Sequence, residues 1–219
     1  SSGTHMMYAC FIGWYSECFQ GFRPVAGRKP FLIYTFFIIF APHFYGMDAG
    51  GLALPLRTSR AFTSIFSTHP DPDVDAWFMA GRQRFGDVRM LNRSQGVKPI
   101  ISNLRKGGLL YLLSDMDFGR GESVFVPFFG VPTATVTSLS RFARLGRAKV
   151  LGMYTRMTPT GYVAELTPAW ADFPTEDVEA DTARMNRELE SAILTMPGQY
   201  YWVHKRFKSR PEGEPSVYR

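Results

Sequence analysis

The 219-residue sequence holds only two cysteines, Cys10 and Cys18, and neither has the spaced partners that a zinc site needs. Two are also too few for a disulfide framework, so a reducing cytoplasmic setting fits best. Long apolar runs are missing too. MMYACFIGWY (6–15) and FLIYTFFIIFA (31–41) each fall short of the roughly 20 residues a spanning helix requires, and no transmembrane helix is predicted. With Arg23, Arg28 and Lys29 between them, these stretches suit a segment lying at a membrane interface and ordinary core packing equally. No internal repeat, interdomain linker, GxSxG elbow or cysteine nucleophile is found.

What is there supports a folded domain. A content of 45% hydrophobic and 15% aromatic residues can bury a real core and excludes a disordered chain. The first six residues, SSGTHM (1–6), read as a cloning remnant, which leaves 7–219 as one domain. Twenty-five Lys and Arg against nineteen Asp and Glu give a formal charge of +6. That favours an anionic partner, whether nucleic acid, phosphate or an acidic membrane, without choosing among them.

The chain alternates strand and helix signals. FLIYTFFIIFA reads as a buried strand, and residues 51–66 as a helix disturbed by Pro55. HPDPDVDAWF marks a loop, and helices are predicted over 73–84 and in GVKPIISNLRKGG, which has Pro99 early and Gly107 late. Residues 109–113 form a short strand apolar on both faces, and 133–146 read as a helix closed by Gly146. AKVLGMYTRM and GYVAELTPAW are strands joined by the turn TPTG, and an amphipathic helix from about 176 stops at Pro197. The alternation predicts a single α/β domain with a mostly parallel sheet flanked by helices.

APHFYGMDAGG (41–51) then puts His43 on a strand-to-helix loop and Asp48 near the first helical turn, at the sheet edge where α/β proteins bind ligands. A carboxylate on one imidazole nitrogen fixes the tautomer and leaves the other nitrogen to take a proton from substrate. Contact at this spacing requires the intervening residues to turn, which Gly46 allows. With no protein nucleophile in view, His43 is expected to activate a hydroxyl of the substrate, as in acyl transfer from a thioester. A surface loop pair is the plain alternative.

The His-x-x-x-x-Asp pattern after an apolar strand is similar to that of the lysophospholipid and glycerophosphate acyltransferases. DMDFGRGESVFVPFFGVPTATVTSLSRFAR (115–144), DTARMNRELE (181–190) and QYYWVHKRFKSRPEGEPSVY (199–218) narrow the resemblance to the late acyltransferases of lipid A biosynthesis, the lauroyl/myristoyl transferase family. It covers roughly residues 38 to 218, whereas the region before His43 matches poorly and is atypically short.

The resemblance implies a glycerophosphate acyltransferase-like fold and an enzyme on the cytoplasmic face of the inner membrane. Its donor would be acyl carrier protein, its acceptor a hydroxyl on a lipid A precursor, with an anionic membrane surface as partner. Nucleic acid, a metal and a cofactor beyond the acylated carrier are not implied. His43 and Asp48 become the catalytic dyad, and Arg84, in preference to Arg82, the cation facing the oxyanion. Phe128, Phe129 and Gly130 are expected to shape the acceptor site, where the two phenylalanines read equally as core. Asp115, with Asp117 two residues on, is expected to anchor an arginine at the sheet edge. Arg141, with Arg144 and Arg147 near it, and Lys205, Arg206 and Lys208 are expected to meet phosphate or the acidic carrier. His204, among those last cations, has no evident orienting partner in sequence, and His69 reads as an exposed loop residue. Two rivals stay open: a glycerolipid or lysophospholipid acyltransferase, and a catalytically silent basic membrane-binding module.

Overall fold

The computed structural model describes residues 36–58 and 60–218. The expectations for the N-terminal remnant, the apolar stretch 6–15, both cysteines and the first part of 31–41 lie outside these residues. Eight strands and five α-helices alternate along the described chain. They are β1 (Phe36–Phe40), α1 (Met47–Ala53), β2 (Phe62–Phe66), α2 (Pro72–Gln83), β3 (Val88–Asn92), α3 (Lys98–Arg105) and β4 (Leu109–Leu112), then β5 (Ser123–Phe128), β6 (Val131–Val136), α4 (Ser138–Gly146), β7 (Ala148–Thr158), β8 (Gly161–Leu166) and α5 (Val178–Thr195).

Six strands form one sheet in the order β3-β2-β4-β1-β7-β8, parallel throughout except for the antiparallel β7-β8 hairpin. This is the α/β architecture expected, a mostly parallel sheet with helices on both faces. Central strands covered on both sides must be apolar on both sides. In β1, Ile38 and Phe40 bury under α3, α4 and α5, while Ile39 and, just past the strand, Ala41 face the other way with Leu54, Phe62 and Tyr111. Each such side chain contributes about 1.5–3 kcal/mol. Among the described residues no helix is long and apolar enough to cross a membrane.

Local chemistry sets the helix ends. Asp71 caps α2 by accepting from the backbone N–H groups of Asp73 and Val74, and Asp177 caps α5 in the same way. Pro99 opens α3, and Pro197 follows the end of α5.

Two predicted helices are shorter than expected. Residues 51–66 divide into the end of α1 and strand β2, because FTSIF supplies the aromatic and β-branched residues that suit a strand between β3 and β4. Residues 133–146 divide into the end of β6 and helix α4; TATV pairs with β5 instead. Phe129 and Gly130, both at positive φ, make the two-residue turn between β5 and β6. Strand β3, with Arg89 as its second residue, is not among the predicted elements.

Gly46 is required for a different reason from the one its sequence position gives. Its φ is −82°, open to any residue, but a Cβ there would lie 2.8 Å from the Thr155 carbonyl oxygen on β7. The absent side chain lets the start of α1 lie against the sheet. Gly46→Ala is expected to lower stability by about 1–3 kcal/mol, read as a lower urea midpoint.

Candidate active site

Strand order brings the reactive groups together. β1 and β4 are parallel neighbours with Phe40 opposite Leu112, and the third residue beyond each is His43 and Asp115. His43 Nδ1 lies 2.7 Å from Asp115 Oδ1, and the His43 backbone N–H donates to Asp115 Oδ2 at 2.9 Å. The Tyr200 hydroxyl donates to the same Oδ2 at 3.1 Å. Asp115 is only 1% exposed, so these donors are what hold its charge.

The protonation preferences follow from this cage. Burial would push the Asp115 carboxyl up, but the His43 imidazolium charge and the hydrogen bonds from His43 outweigh it and bring the value down to about 2. Burial would lower His43; the Asp115 charge and hydrogen bond reverse that, and Asp48 adds to the effect, so His43 lies above its ordinary value. Tyr200 is pushed well above its ordinary value by burial and by the Asp115 charge, and so remains a donor.

The sequence pairs His43 with Asp48; in the structure the carboxylate bonded to the His43 ring is Asp115, while Asp48 lies on the same cavity lining. Asp48 sits in the first turn of α1 with its side chain 55% exposed and accepts from Arg82 Nε at 3.3 Å. Asp115, expected to anchor an arginine, is the residue bonded to the histidine. Asp117 faces elsewhere, accepting from the backbone N–H groups of Gly119 and Ser209 and tying the C-terminal segment to the sheet edge.

His43, Asp48 and Arg82 share a cavity of about 800 Å³. It wraps across the sheet edge. Phe62, Val88 and Tyr111 wall it on the α1 face, and Ile65, Ile100 and Leu112 wall it on the face covered by α3 and α4. Arg141 and the Arg93–Glu122 ion pair supply charge on its lining. Such a space, apolar with a few convergent polar groups, fits a ligand with long hydrocarbon chains.

The remaining expected residues divide between cavity, core and surface. Arg84 caps the end of α2 with its guanidinium over Phe85 and is not on the cavity lining, whereas Arg82 is. Phe128 is fully buried in the core; Phe129 and Gly130 form the exposed hairpin tip, where Phe129 approaches Trp202. None of these three lines the cavity. Arg144 pairs with Glu176, Arg147 closes α4 in a left-handed conformation, and His69 is exposed in the loop before α2.

In WVHKRFK, Lys205 and Lys208 are exposed but Arg206 is 0% exposed. Its guanidinium donates to the Ala134 carbonyl and the Thr135 hydroxyl, reaches Asn186 Oδ1 at 3.3 Å, and lies over the Phe128 ring. Arg206 therefore binds the tail to the β5-β6 hairpin and α5, and no headgroup reaches it. Arg206→Ala is expected to lower stability by about 3–5 kcal/mol, with no rescue by Arg206→Lys, which lacks the fork. Denaturant midpoints of the two variants test this.

Tyr200 and the role of Asp115 were missed. The signal for the second was the equal three-residue offset after two apolar strands, usable only once those strands are known to be neighbours.

Comparison with known proteins places the chain in a family. A family model described as bacterial lipid A biosynthesis acyltransferase matches residues 35–209. A lipid A biosynthesis acyltransferase of Haemophilus influenzae is 38% identical over 179 residues, 81% of this chain and 55% of the relative. The lipid A biosynthesis lauroyltransferase of Escherichia coli is 35% identical, covering 80% and 57%. The E. coli myristoyltransferase is 29% identical, covering 83% and 56%. The chain thus spans a little over half the length of the curated relatives it matches.

Proposed function

The chain belongs to the bacterial lipid A biosynthesis acyltransferase family, and from that premise we propose that it moves a fatty acyl chain from an acyl carrier protein thioester to a hydroxyl of a lipid A precursor. The buried His43–Asp115 pair opening into an apolar cavity carries the reading.

Asp115 holds His43 Nδ1, so Nε2 takes the proton of the acceptor hydroxyl as its oxygen attacks the thioester carbonyl. The tetrahedral oxyanion collapses, the carbon–sulfur bond breaks, and the imidazolium returns its proton to the carrier thiolate. Arg82, on the cavity lining, is better situated than Arg84 to face the developing negative charge, and Asp48 steadies it. The apolar walls receive the hydrocarbon, and Arg141 serves the phosphate of the acceptor. No metal or other cofactor is needed. We place the reaction at the cytoplasmic face of the inner membrane, where the basic surface meets anionic lipid.

Incubating the purified protein with acylated carrier proteins and a tetra-acylated lipid A precursor, followed by mass spectrometry, tests the proposal. The expected product is the precursor heavier by one acyl group. No added mass with any donor would instead favour a silent membrane-binding module, and acylation of a glycerolipid in preference would move the acceptor class.

A further inference from the structure

His204, the histidine of the basic tail, has no part in the scheme above, yet it touches the catalytic base. Tyr45 N–H donates to the Gln199 carbonyl, Phe44 bridges Tyr200, and Tyr201 N–H donates to the His43 carbonyl at 2.8 Å. These backbone bonds zip the 43–45 loop to the tail. The short helical turn Trp202–His204 then lays the His204 ring against His43, with centroids 4.6 Å apart and planes at 65°. Tyr201 also packs edge-on against the His204 ring, with centroids 4.5 Å apart. His204 Nε2 is buried without a hydrogen-bond partner, so the ring is held by packing. His43 lines the cavity and His204 does not.

We propose that His204 is a positioning residue for His43: a neutral ring that backs the imidazole, keeps Nδ1 on Asp115 and leaves Nε2 to the cavity. Neutrality matters because His43 must gain a proton during turnover, and a second cation at this distance would oppose it. Burial, and then the His43 charge, hold His204 below its ordinary value. The other groups acting on the pair are Asp115 beside it, Asp48 and Arg82 from α1 and α2, and Lys208 near His204; Tyr200 and Arg206 act on Asp115. The inference rests on the proposed role of His43 as base.

The test compares His204→Phe, which keeps a flat uncharged ring, with His204→Ala, which admits water to the back of His43. Two readouts are needed: the pH profile of kcat/KM and the NMR titration of the His43 ring. In His204→Ala the imidazolium gains hydration, so the acid limb and the His43 titration both move to higher pH by about half a unit or more. The same variant should lose about tenfold or more in kcat with KM little changed, as the base loses its aim. His204→Phe should match the wild type in rate and in titration. A wild-type profile in His204→Ala overturns the proposal, as does a His204→Phe protein as impaired as His204→Ala. If no variant turns over substrate, the titration still decides: a shift in His204→Ala alone upholds the positioning role while the acyl-transfer reading fails.

Discussion

His43→Ala is expected to lower acyl transfer by about 10²–10⁴-fold while leaving the protein folded. The fold should survive because two of the Asp115 donors remain: the backbone N–H of residue 43 and the Tyr200 hydroxyl are untouched by the substitution. The chemistry should not survive, since in the proposed mechanism Nε2 is the atom that takes the proton. Acceptor binding should change little, so the loss falls on kcat. Single-turnover transfer from an acylated carrier, measured beside far-UV circular dichroism, separates the two. A purified His43→Ala protein working near the wild-type rate would sink the mechanism.

The second large effect is expected at Asp115, and it has a signature in pH. In the wild type His43 is raised above its ordinary value of 6.5, and the proposed transfer needs the neutral ring, so the acid limb of kcat/KM is expected above that value. Asp115→Asn removes the carboxylate charge that raises His43, and the limb must move down. Asp48→Asn should move it down less, because Asp48 acts at longer range and is spent on Arg82. Asparagine can also donate to Nδ1 and hold the wrong tautomer, so kcat should fall by about 10²–10⁴-fold. If instead Asp48→Asn shifts the limb more than Asp115→Asn, the pairing read from the structure is not the one that acts.

The same substitution alters stability with pH. The Asp115 value is depressed in the folded state, so its stabilisation is complete above the ordinary value of 3.8 and is lost as pH falls toward about 2. The raised His43 value works in the opposite sense: its contribution is complete below 6.5 and fades as pH rises through the folded value. Asp115→Asn should therefore flatten both limbs of a plot of denaturant midpoint against pH.

How much of this was legible in the sequence depends on whether the signal was local. Leu109 to Leu112 are four consecutive apolar residues after a glycine pair, and α2 and α5 carry their own caps, so their identity needed no partner. Strands β2 and β6 each adjoin a helix in sequence, and only pairing with β4 and with β5 separates them. The histidine was visible from its own loop. Its carboxylate was not, because β1 lies beside β4 although β2 and β3 come between them in the chain. Asp48, five positions away, was the local candidate; Asp115 is the spatial one. Arg206 failed for a related reason, since a basic run reads as solvated until one of its members is seen bonded to Ala134, Thr135 and Asn186.

The wide separation of these partners also bears on when the protein can begin to work. Asp115 meets a histidine 72 positions earlier and a tyrosine 85 positions later. A nascent chain emerging from the ribosome holds His43 and Asp115 well before Tyr200 exists to close the carboxylate cage and before the 199–204 segment can lock the histidine loop. On the proposed mechanism, a thioester donor would meet a finished site only after nearly all of the described chain has been made. A protease cut that releases the segment from Gln199 onward should abolish the proposed transfer even with the whole sheet intact.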